Sequence, residues 1–139
     1  MNVIYKPFYL QILTPERVFF EGDVEVFTAD APDGKISFLA GHTPLITPVE
    51  VGTLNFKTKD GWVEAFSSSG FMEVTSDGVF VFVQACESPD EIDTRRAEEA
   101  RYRAEEHMRQ RQSTAEYKQS KIALARAMTR LQVTKSRRK

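Results

Sequence analysis

The pattern of apolar and polar positions divides the chain into two parts. Up to Gln84, short apolar stretches rich in β-branched and aromatic residues alternate with turn residues, which is typical of strands and not of helices. Two pairs of such stretches flank Asp60-Gly61 and Asp77-Gly78, which predicts two β-hairpins. Residues 79–83 are apolar throughout, which favours a strand buried on both faces. Many short strands with frequent turns predict a β-sandwich or barrel.

Shorter strands precede these hairpins. The composition of residues 9–13 and 24–29 predicts two strands. Turns are predicted where proline, glycine or acidic residues interrupt the apolar positions, at 14–17, at 21–23 and at Asp33-Gly34.

Past Ser88 the apolar positions follow the helical period. Ser88 is a favourable N-cap, Pro89 suits the first helical position, and Glu91 completes a capping box, so a helix is predicted to begin here. Small side chains then recur at spacings of three and four and allow a second helix to approach closely. They are Ala97, Ala100 and Ala104, continued by Met108. A second capping box at 113–116 predicts the start of that second helix.

The second helix has its larger apolar residues at Tyr117, Leu124, Met128 and Leu131, and we expect these to form its buried seam. Each helix would be on the order of 30 Å long. A hairpin lined by alanine buries little apolar area, so its docking onto the rest of the protein is expected to be conditional.

The sequence therefore predicts an α+β fold with two domains. An N-terminal antiparallel β-sandwich or barrel occupies residues 1–87, and a C-terminal antiparallel two-helix hairpin occupies residues 88–139.

The charge is distributed unevenly between these parts. Residues 1–86 carry 5 Lys/Arg against 11 Asp/Glu, a net charge of −6, whereas residues 87–139 carry 14 against 9, a net charge of +5. Within residues 112–139, 8 basic residues accompany one acid. This basic arm predicts an acidic partner.

The single cysteine and the two histidines argue against a disulfide framework and a Cys/His zinc site. The longest strongly apolar run, residues 79–83, is far shorter than the roughly 20 residues of a membrane-spanning helix. The amino terminus does not have the pattern of a signal peptide. We therefore expect a soluble protein that reaches a membrane only indirectly, through partners.

Several motifs together resemble the epsilon subunit of the F-type ATP synthase, over nearly the whole chain. They are Thr-Pro-Glu at 14–16, Gly-His-Thr-Pro-Leu at 41–45, Ser-Gly-Phe-Met-Glu-Val at 69–74 and Ile-Asp-Thr-Arg-Arg-Ala at 92–97. The resemblance implies a non-catalytic rotor subunit, peripheral at the cytoplasmic face of the cell membrane. Its β-sandwich would bind the gamma subunit and the ring of c subunits, and its hairpin would inhibit ATP hydrolysis.

The resemblance also implies which residues meet these partners. In the family the hairpin is compact in one state and extended along gamma in the other, where its basic second helix reaches an acidic loop of the catalytic beta subunit, beside alpha. The matching basic residues are Lys118, Lys121, Arg126 and Arg130. Contact with the c-ring or gamma would fall at Asp33, Gly34, Lys35 and His42.

The Ile-Asp-x-x-Arg-Ala motif is similar to the ATP-binding signature of some bacterial epsilon subunits. By position, the implied ATP-binding residues are Glu87, Ile92, Asp93, Arg96, Ala97, Arg103, Arg126 and Arg130. Guanidinium groups hold triphosphate oxygens through charge-assisted hydrogen bonds, while Glu87 or Asp93 accepts from adenine or ribose donors. Because the arginines come from both helices, ATP as a regulatory ligand would favour the closed hairpin. No metal site of its own is expected.

Other interpretations remain open at this point. Asp93 and Arg96 have the spacing of an exposed ion pair within one helix. His42 is expected to be a structural loop histidine, and the alternative is a small enzyme that uses it as a general base. The basic end at 135–139 also fits an adaptor that binds nucleic acid or another acidic partner. The net negative charge of residues 1–86 would repel phosphate, however, so we do not expect nucleic acid to be the partner.

Overall fold

A computed structural model describes residues 5–110 and 112–137, so Arg138 and Lys139 of the basic end lie outside the described residues. The described residues form two five-stranded sheets and two α-helices. The first sheet has the order β2-β1-β9-β8-β5, with β1 (Phe8–Leu13), β2 (Val18–Val24), β5 (Leu45–Val49), β8 (Gly70–Thr75) and β9 (Gly78–Val83). The second has the order β10-β7-β6-β3-β4, with β3 (Val26–Ala31), β4 (Gly34–Phe38), β6 (Gly52–Thr58), β7 (Gly61–Ser67) and β10 (Cys86–Glu87).

The predicted α+β fold, a β-sandwich followed by two helices, is confirmed, but the first sheet is mixed because one of its pairings is parallel. β1 pairs antiparallel with β2 but parallel with β9, with Leu10 opposite Val79. Parallel neighbours cannot be joined by a tight hairpin. Here most of the β domain separates β1 from β9, so local turn signals carried no information about this pairing.

The core lies between the two sheets. Leu10 and Val81 from the first sheet and Phe27 and Phe56 from the second are almost completely buried. Along β9 the valines face this core, whereas Phe80 and Phe82 lie half-buried on the outer face, so this strand is not buried on both faces as predicted. Cys86 is buried in the same core, and burial raises the pKa of its thiol to about 12, so the thiol is neutral at pH 7.

Both predicted hairpins are confirmed, but each turn begins one residue earlier than expected. The turns are residues 59–60 and 76–77, and Gly61 and Gly78 are the first residues of the following strands, with φ values of +122° and +143°. Thr58 Oγ1 accepts a hydrogen bond from the amide of Asp60 at 3.1 Å, which helps to close the first turn. Glycine then supplies the positive φ at the start of the returning strand.

The predicted turn at 21–23 is wrong. β2 runs through these residues, with Gly22 opposite Leu10 of β1. Pairing along the edge of β1 satisfies the backbone hydrogen bonds and outweighs the local turn preference. The turn near Gly34 is confirmed, with β4 beginning at the glycine itself.

The capping box at Ser88 is present, but it opens only a 3-10 turn at Pro89–Glu91. The first long helix, α1 (Thr94–Arg109), begins later than predicted, with Asp93 as its N-cap. Ile92 lies between the two in an extended conformation, because its side chain is buried beneath the helices. The second helix, α2 (Thr114–Arg137), begins as predicted, and the amide of Glu116 donates to Ser113 Oγ at 3.2 Å.

Small residues form the contact between the helices. Ala97 and Ala104 of α1 are buried, as predicted, and they are matched on α2 by Ala127 and Leu131. The predicted apolar seam of α2 is only partly correct. Tyr117 and Met128 are exposed. Alanine allows the two helices to approach closely, so that small side chains occupy the interface and these two larger side chains lie beside it.

The hairpin touches the sandwich mainly through the end of α2. Val133 is 0% exposed and packs with Phe66 of β7 and with Ile92. The hairpin is therefore docked on the second sheet, and neither helix, over the part of the chain that the structure describes, covers the outer face of the first sheet. Neither helix, within residues 5–110 and 112–137, has the length and hydropathy needed to cross a membrane.

Candidate functional site

A groove runs between the two helices and ends at the sandwich. It consists of two adjoining cavities of about 350 and 640 Å³, both of which are lined by Ala100 and Arg103. The cavity nearer the sandwich is also lined by Glu87, Glu91, Asp93, Arg96, Ala97 and Arg130. The farther one is also lined by Ala104, His107, Gln119, Ser120, Ile122, Ala123 and Arg126. Together they are called the inter-helix groove below.

The helical period explains why these residues share one groove. On α1 a single face carries Arg96, Ala100, Arg103 and His107, at spacings of three and four. On α2 the matching face carries Gln119, Ala123, Arg126 and Arg130. Because the helices are antiparallel, the arginines of both helices are distributed along the groove, and the groove is roughly 16 Å long between the levels of Arg96 and His107.

Three of the four arginines in the groove differ from those on the outer surface in having no acidic partner among the described residues. On the outer surface, Arg95 pairs with Glu99, Arg101 with Glu105 and Arg109 with Glu106. Arg96, Arg103 and Arg126 make no ion pair with any residue of 5–110 or 112–137. Arg103 and Arg126 line the farther cavity, which has no acidic lining residue among the described residues, and they produce there a positive potential that favours an anionic ligand with several charges.

The sandwich end of the groove supplies carboxylates. Arg130 Nε donates to Glu87 Oε1 at 2.7 Å, and its guanidinium lies over the ring of Phe66, with 4.3 Å between Cζ and the ring centroid. Asp93 Oδ1 accepts from the backbone amide of Arg96 at 3.1 Å. The contact between Asp93 and Arg96 is therefore a helix cap, and not the ion pair that their spacing also allowed.

Glu91 fixes this end of the groove to the β domain. Its carboxylate accepts from the amide and hydroxyl of Ser88, both at 3.0 Å, and forms an ion pair with Arg17 Nη1 at 2.6 Å. The hydrogen bond from Arg17, followed by the one from the Ser88 backbone, lowers the pKa of Glu91 to about 2. Arg17 Nη2 also donates to the carbonyl oxygen of Cys86 at 3.0 Å. The turn between β1 and β2 thus holds the start of the helical region in place.

The structure brings together seven of the eight residues implied for ATP binding. Six of them line the cavity at the sandwich: Glu87, Asp93, Arg96, Ala97, Arg103 and Arg130. Arg126 lines the adjoining cavity, opposite Arg103. Ile92 is different, because its side chain is buried with Phe66 and Val133 and lines neither cavity.

The four basic residues assigned to the beta subunit do not lie on one surface in this conformation. Lys118 and Lys121 are exposed and line neither cavity, whereas Arg126 and Arg130 face the groove. Arg130 is engaged by Glu87 and Phe66.

The four residues assigned to the c-ring or gamma also fall into two groups. Asp33, Gly34 and Lys35 lie at the start of β4, whereas His42 follows the opposite end of this strand. The ring of His42 packs edge-on against Phe38 at 4.5 Å, and Nδ1 lies 2.8 Å from the carbonyl oxygen of Thr43. These contacts give His42 a structural role in its loop, as the sequence suggested. No cluster of three possible metal ligands is present among the described residues.

The sequence analysis missed an apolar row on the outer face of the first sheet. Successive strands place one apolar residue each at the same level: Pro48, Phe71, Phe82, Leu13 and Val18. Phe71 is 50% exposed and stacks on Phe82, with their ring centroids 5.1 Å apart. The broken alternation in residues 79–83 was the signal. It showed an excess of apolar residues, but it did not show which of them lie outside the core.

Comparison with known proteins agrees with this architecture. The family model described as ATP synthase, Delta/Epsilon chain, beta-sandwich domain matches residues 7–89, and the long alpha-helix domain of the same chain matches residues 90–135. A protein named ATP synthase epsilon chain from Caldanaerobacter subterraneus subsp. tengcongensis is 48% identical over 92% of this chain and 94% of its own length. The protein of the same name from Ruminiclostridium cellulolyticum is 42% identical over 94% of this chain and 98% of its own.

Two solved structures show the same fold. A chain of the Euglena gracilis mitochondrial ATP synthase superposes with a TM-score of 0.78 at 22% identity, covering 92% of this chain and 81% of its own. A chain from the Tetrahymena thermophila mitochondrial ATP synthase, in a structure of the central stalk and c-ring, has a TM-score of 0.69 at 12% identity and covers 95% and 99%. From the matched domains and relatives, the chain belongs to the ATP synthase epsilon-chain family and is a non-catalytic subunit of that complex.

Proposed function

We propose that this chain is a rotor subunit of the central stalk, at the cytoplasmic face of the cell membrane, and that its hairpin inhibits ATP hydrolysis when it opens. ATP, bound in the inter-helix groove, holds the hairpin closed. The observation that carries the proposal is the set of unpaired arginines, Arg96, Arg103 and Arg126, on the two walls of the groove. The epsilon chains similar to this one and the central-stalk structure with the same fold support it.

The groove explains how ATP would act as a latch. Phosphate oxygens placed between the helices accept hydrogen bonds from arginines of both and remove the repulsion between them. Glu87 and Asp93 remain at the sandwich end to accept from the amino group of adenine or the hydroxyls of ribose. An open hairpin separates these groups, so ATP binds the closed state better, and the shift in population is limited by that difference in affinity.

The same arginines make the two states mutually exclusive. In the closed hairpin, Arg126 and Arg130 face the groove, and Arg130 is held by Glu87. In the open hairpin they join Lys118 and Lys121 on a basic helix that can meet the acidic loop of the beta subunit, close to alpha. Opposite charges then steer and orient this contact. Nucleotide in the groove and the acidic loop therefore compete for the same guanidinium groups.

The ATP site is tested by titrating the full chain with ATP in a calorimeter. Arg103→Ala should weaken ATP binding by at least tenfold, because it removes a charge-assisted contact shared by both cavities. Arg101→Ala is the matched control, since Arg101 lies on the outer surface and pairs with Glu105. Equal affinities for ATP in the two variants would remove the groove from the proposal.

The sandwich is proposed to bind gamma through the apolar row of the first sheet. This row is continuous across five strands and is left uncovered by the helices, as expected of a surface that a partner buries. The c-ring would then face the end of the sandwich that carries His42, because the opposite end must leave the hairpin free to extend toward the catalytic subunits.

Phe71→Ser tests the gamma contact. It should leave the isolated chain folded, because Phe71 is half-exposed, but reduce its recovery in a complex with gamma by about tenfold, since the centre of the row is lost. Trp62→Ser is the control, because Trp62 is a 62% exposed aromatic residue on the second sheet. If both variants assemble as well as the unaltered chain, the row is not the gamma contact.

A further inference from the structure

The end of the inter-helix groove farthest from the sandwich contains polar residues to which neither the sequence motifs nor the proposed function assigns a role. His107 on α1 and Gln119 and Ser120 on α2 line the farther cavity, beyond Arg103 and Arg126. Among the described residues, this cavity has no acidic lining residue. Its chemistry is therefore that of hydrogen-bond donors and cations, which suits phosphate oxygens.

The distribution of charge fixes the direction in which a nucleotide would lie. Glu87, Glu91 and Asp93 line only the cavity at the sandwich, where carboxylates repel phosphates but accept from adenine or ribose donors. Arg103 lines both cavities, and Arg126 lines the farther one. A nucleotide with its base at the sandwich would therefore place its phosphate chain along the arginines, with the outermost phosphate nearest to His107 and Gln119.

A second observation points to a missing acceptor at this end. Ser120 Oγ donates to Gln112 Oε1 at 3.4 Å, which holds the amide of Gln112 beside a lining residue of the groove. The Nε2 atom of Gln112 is buried, and no described residue accepts a hydrogen bond from it. A buried donor without an acceptor costs free energy. Gln112 does not itself line the cavity, so an anion beside Ser120 would reduce that cost through a bridging water molecule.

We propose that His107, Gln119 and Ser120 form the subsite for the outermost phosphate of the nucleotide, so that the far end of the groove sets the preference for a triphosphate over a diphosphate. This inference rests on the proposed ATP site and deepens it. The arginines hold any phosphate chain that enters the groove. The subsite contacts only a third phosphate group, because a diphosphate oriented in the same way ends at the arginines.

The test compares the ATP and ADP affinities of the full chain by calorimetry. The variant is His107→Ala combined with Gln119→Ala, which should preserve the helices because alanine is the strongest helix former. The expected result is a fivefold to tenfold loss of ATP affinity with ADP affinity changed by less than twofold. Gln132→Ala is the control, because it also removes a glutamine side-chain amide, but from an exposed position of α2. Its affinities for ATP and for ADP should stay unchanged.

The outcomes separate this inference from the proposed function. If ATP and ADP affinities fall by the same factor, or if neither falls, the subsite is overturned, even though Arg103→Ala still weakens ATP binding. If the unaltered chain binds no ATP, the proposed ATP site fails and the subsite fails with it.

Discussion

Glu91 connects the 3-10 turn, the turn between β1 and β2, and the sandwich end of the inter-helix groove. Its carboxylate binds Ser88 in the 3-10 turn and Arg17 in the turn between β1 and β2, and it lines the sandwich end of the groove. Arg17 in turn binds the carbonyl oxygen of Cys86. This cluster anchors the point from which the hairpin departs, so a motion of the hairpin would be a motion about Glu91.

The Arg17–Glu91 pair makes stability depend on pH in a defined direction. The pKa of Glu91 is lowered to about 2 in the folded protein, against about 4.3 in an unfolded chain, so its contribution is complete above about pH 4.3 and is lost as the pH falls toward 2. Because the pair is partly exposed, that contribution is about 0.5–1 kcal/mol. Arg17→Ala should lower the free energy of unfolding by about this amount at pH 7, as measured by denaturant titration.

The difference in stability between Arg17→Ala and the unaltered protein should narrow as the pH falls from about 4.3 toward 2, because protonation of Glu91 removes the ion pair from the unaltered protein, whereas the variant has no such pair to lose. Arg101→Ala, which breaks the exposed pair with Glu105, should change stability by less than 0.5 kcal/mol throughout. If the difference in free energy of unfolding between Arg17→Ala and the unaltered protein stays constant down to pH 3, the loss of stability comes from the hydrogen bond with Cys86 and not from the ion pair.

At the scale of elements, the hairpin is held together by small side chains and docked by a few larger ones. Ala97 and Ala104 meet Ala127 and Leu131 between the helices, and Val133 fills the space above Phe66. Such contacts bury little area, so the closed hairpin is only modestly stable by itself. A ligand in the groove can therefore change the balance between its closed and open states.

Ala127→Leu tests the close contact of the helices. Ala127 is buried, so the added atoms must push α2 away from α1, which should destabilise the closed hairpin by about 1–3 kcal/mol. Small-angle X-ray scattering should then show a larger radius of gyration. Ala125→Leu makes the same change at an exposed position of the same helix and should leave the radius unchanged. An equal radius for the two variants would mean that the alanines do not control closure.

At the scale of the whole molecule, the core of the sandwich is separate from the apolar contact beneath the hairpin. The cluster between the sheets contains only residues from Leu10 to Cys86, whereas Phe66, Ile92 and Val133 form a second, smaller cluster under the hairpin. The sandwich has the apolar core that it needs to fold alone. The hairpin has no comparable core and depends on the sandwich for its position.

Deletion of residues 88–139 should therefore leave a folded sandwich. It should unfold cooperatively, with its stability reduced by about 1.5–3 kcal/mol, because Phe66 loses its cover. The measurement is thermal unfolding followed by circular dichroism, in which the helical signal disappears and the strand signal remains. An unfolded product would show that the second cluster is essential to the sandwich.

The same deletion tests the inhibitory role in the assembled complex. Under the proposed function, ATP hydrolysis should rise, because the helix that reaches the beta subunit is gone, while binding to gamma through the apolar row is retained. Hydrolysis that stays at the level of the intact complex would contradict inhibition by the hairpin and leave the rotor assignment standing.

Features that depend on neighbouring residues could be predicted from the sequence. Both Asp-Gly hairpins, the cap at Ser113 and the alanine stripe of α1 follow from turn chemistry, capping and periodicity, each of which acts within a few residues. Most of the residues implied for ATP binding line the inter-helix groove, because the arginines among them recur on one face of each helix and the antiparallel hairpin brings the two faces opposite each other. That they bind ATP remains a prediction.

Only the tertiary structure decided the pairings between distant segments. The parallel contact of β1 with β9, the ion pair of Arg17 with Glu91 and the docking of Val133 on Phe66 each join residues far apart in the chain. A local pattern shows that a residue needs burial or a counter-charge, but many partners can satisfy that need. Which partner does so depends on the packing of the whole chain. For that reason the exposed row around Phe71 and the exposed position of Met128 became evident only in the folded protein.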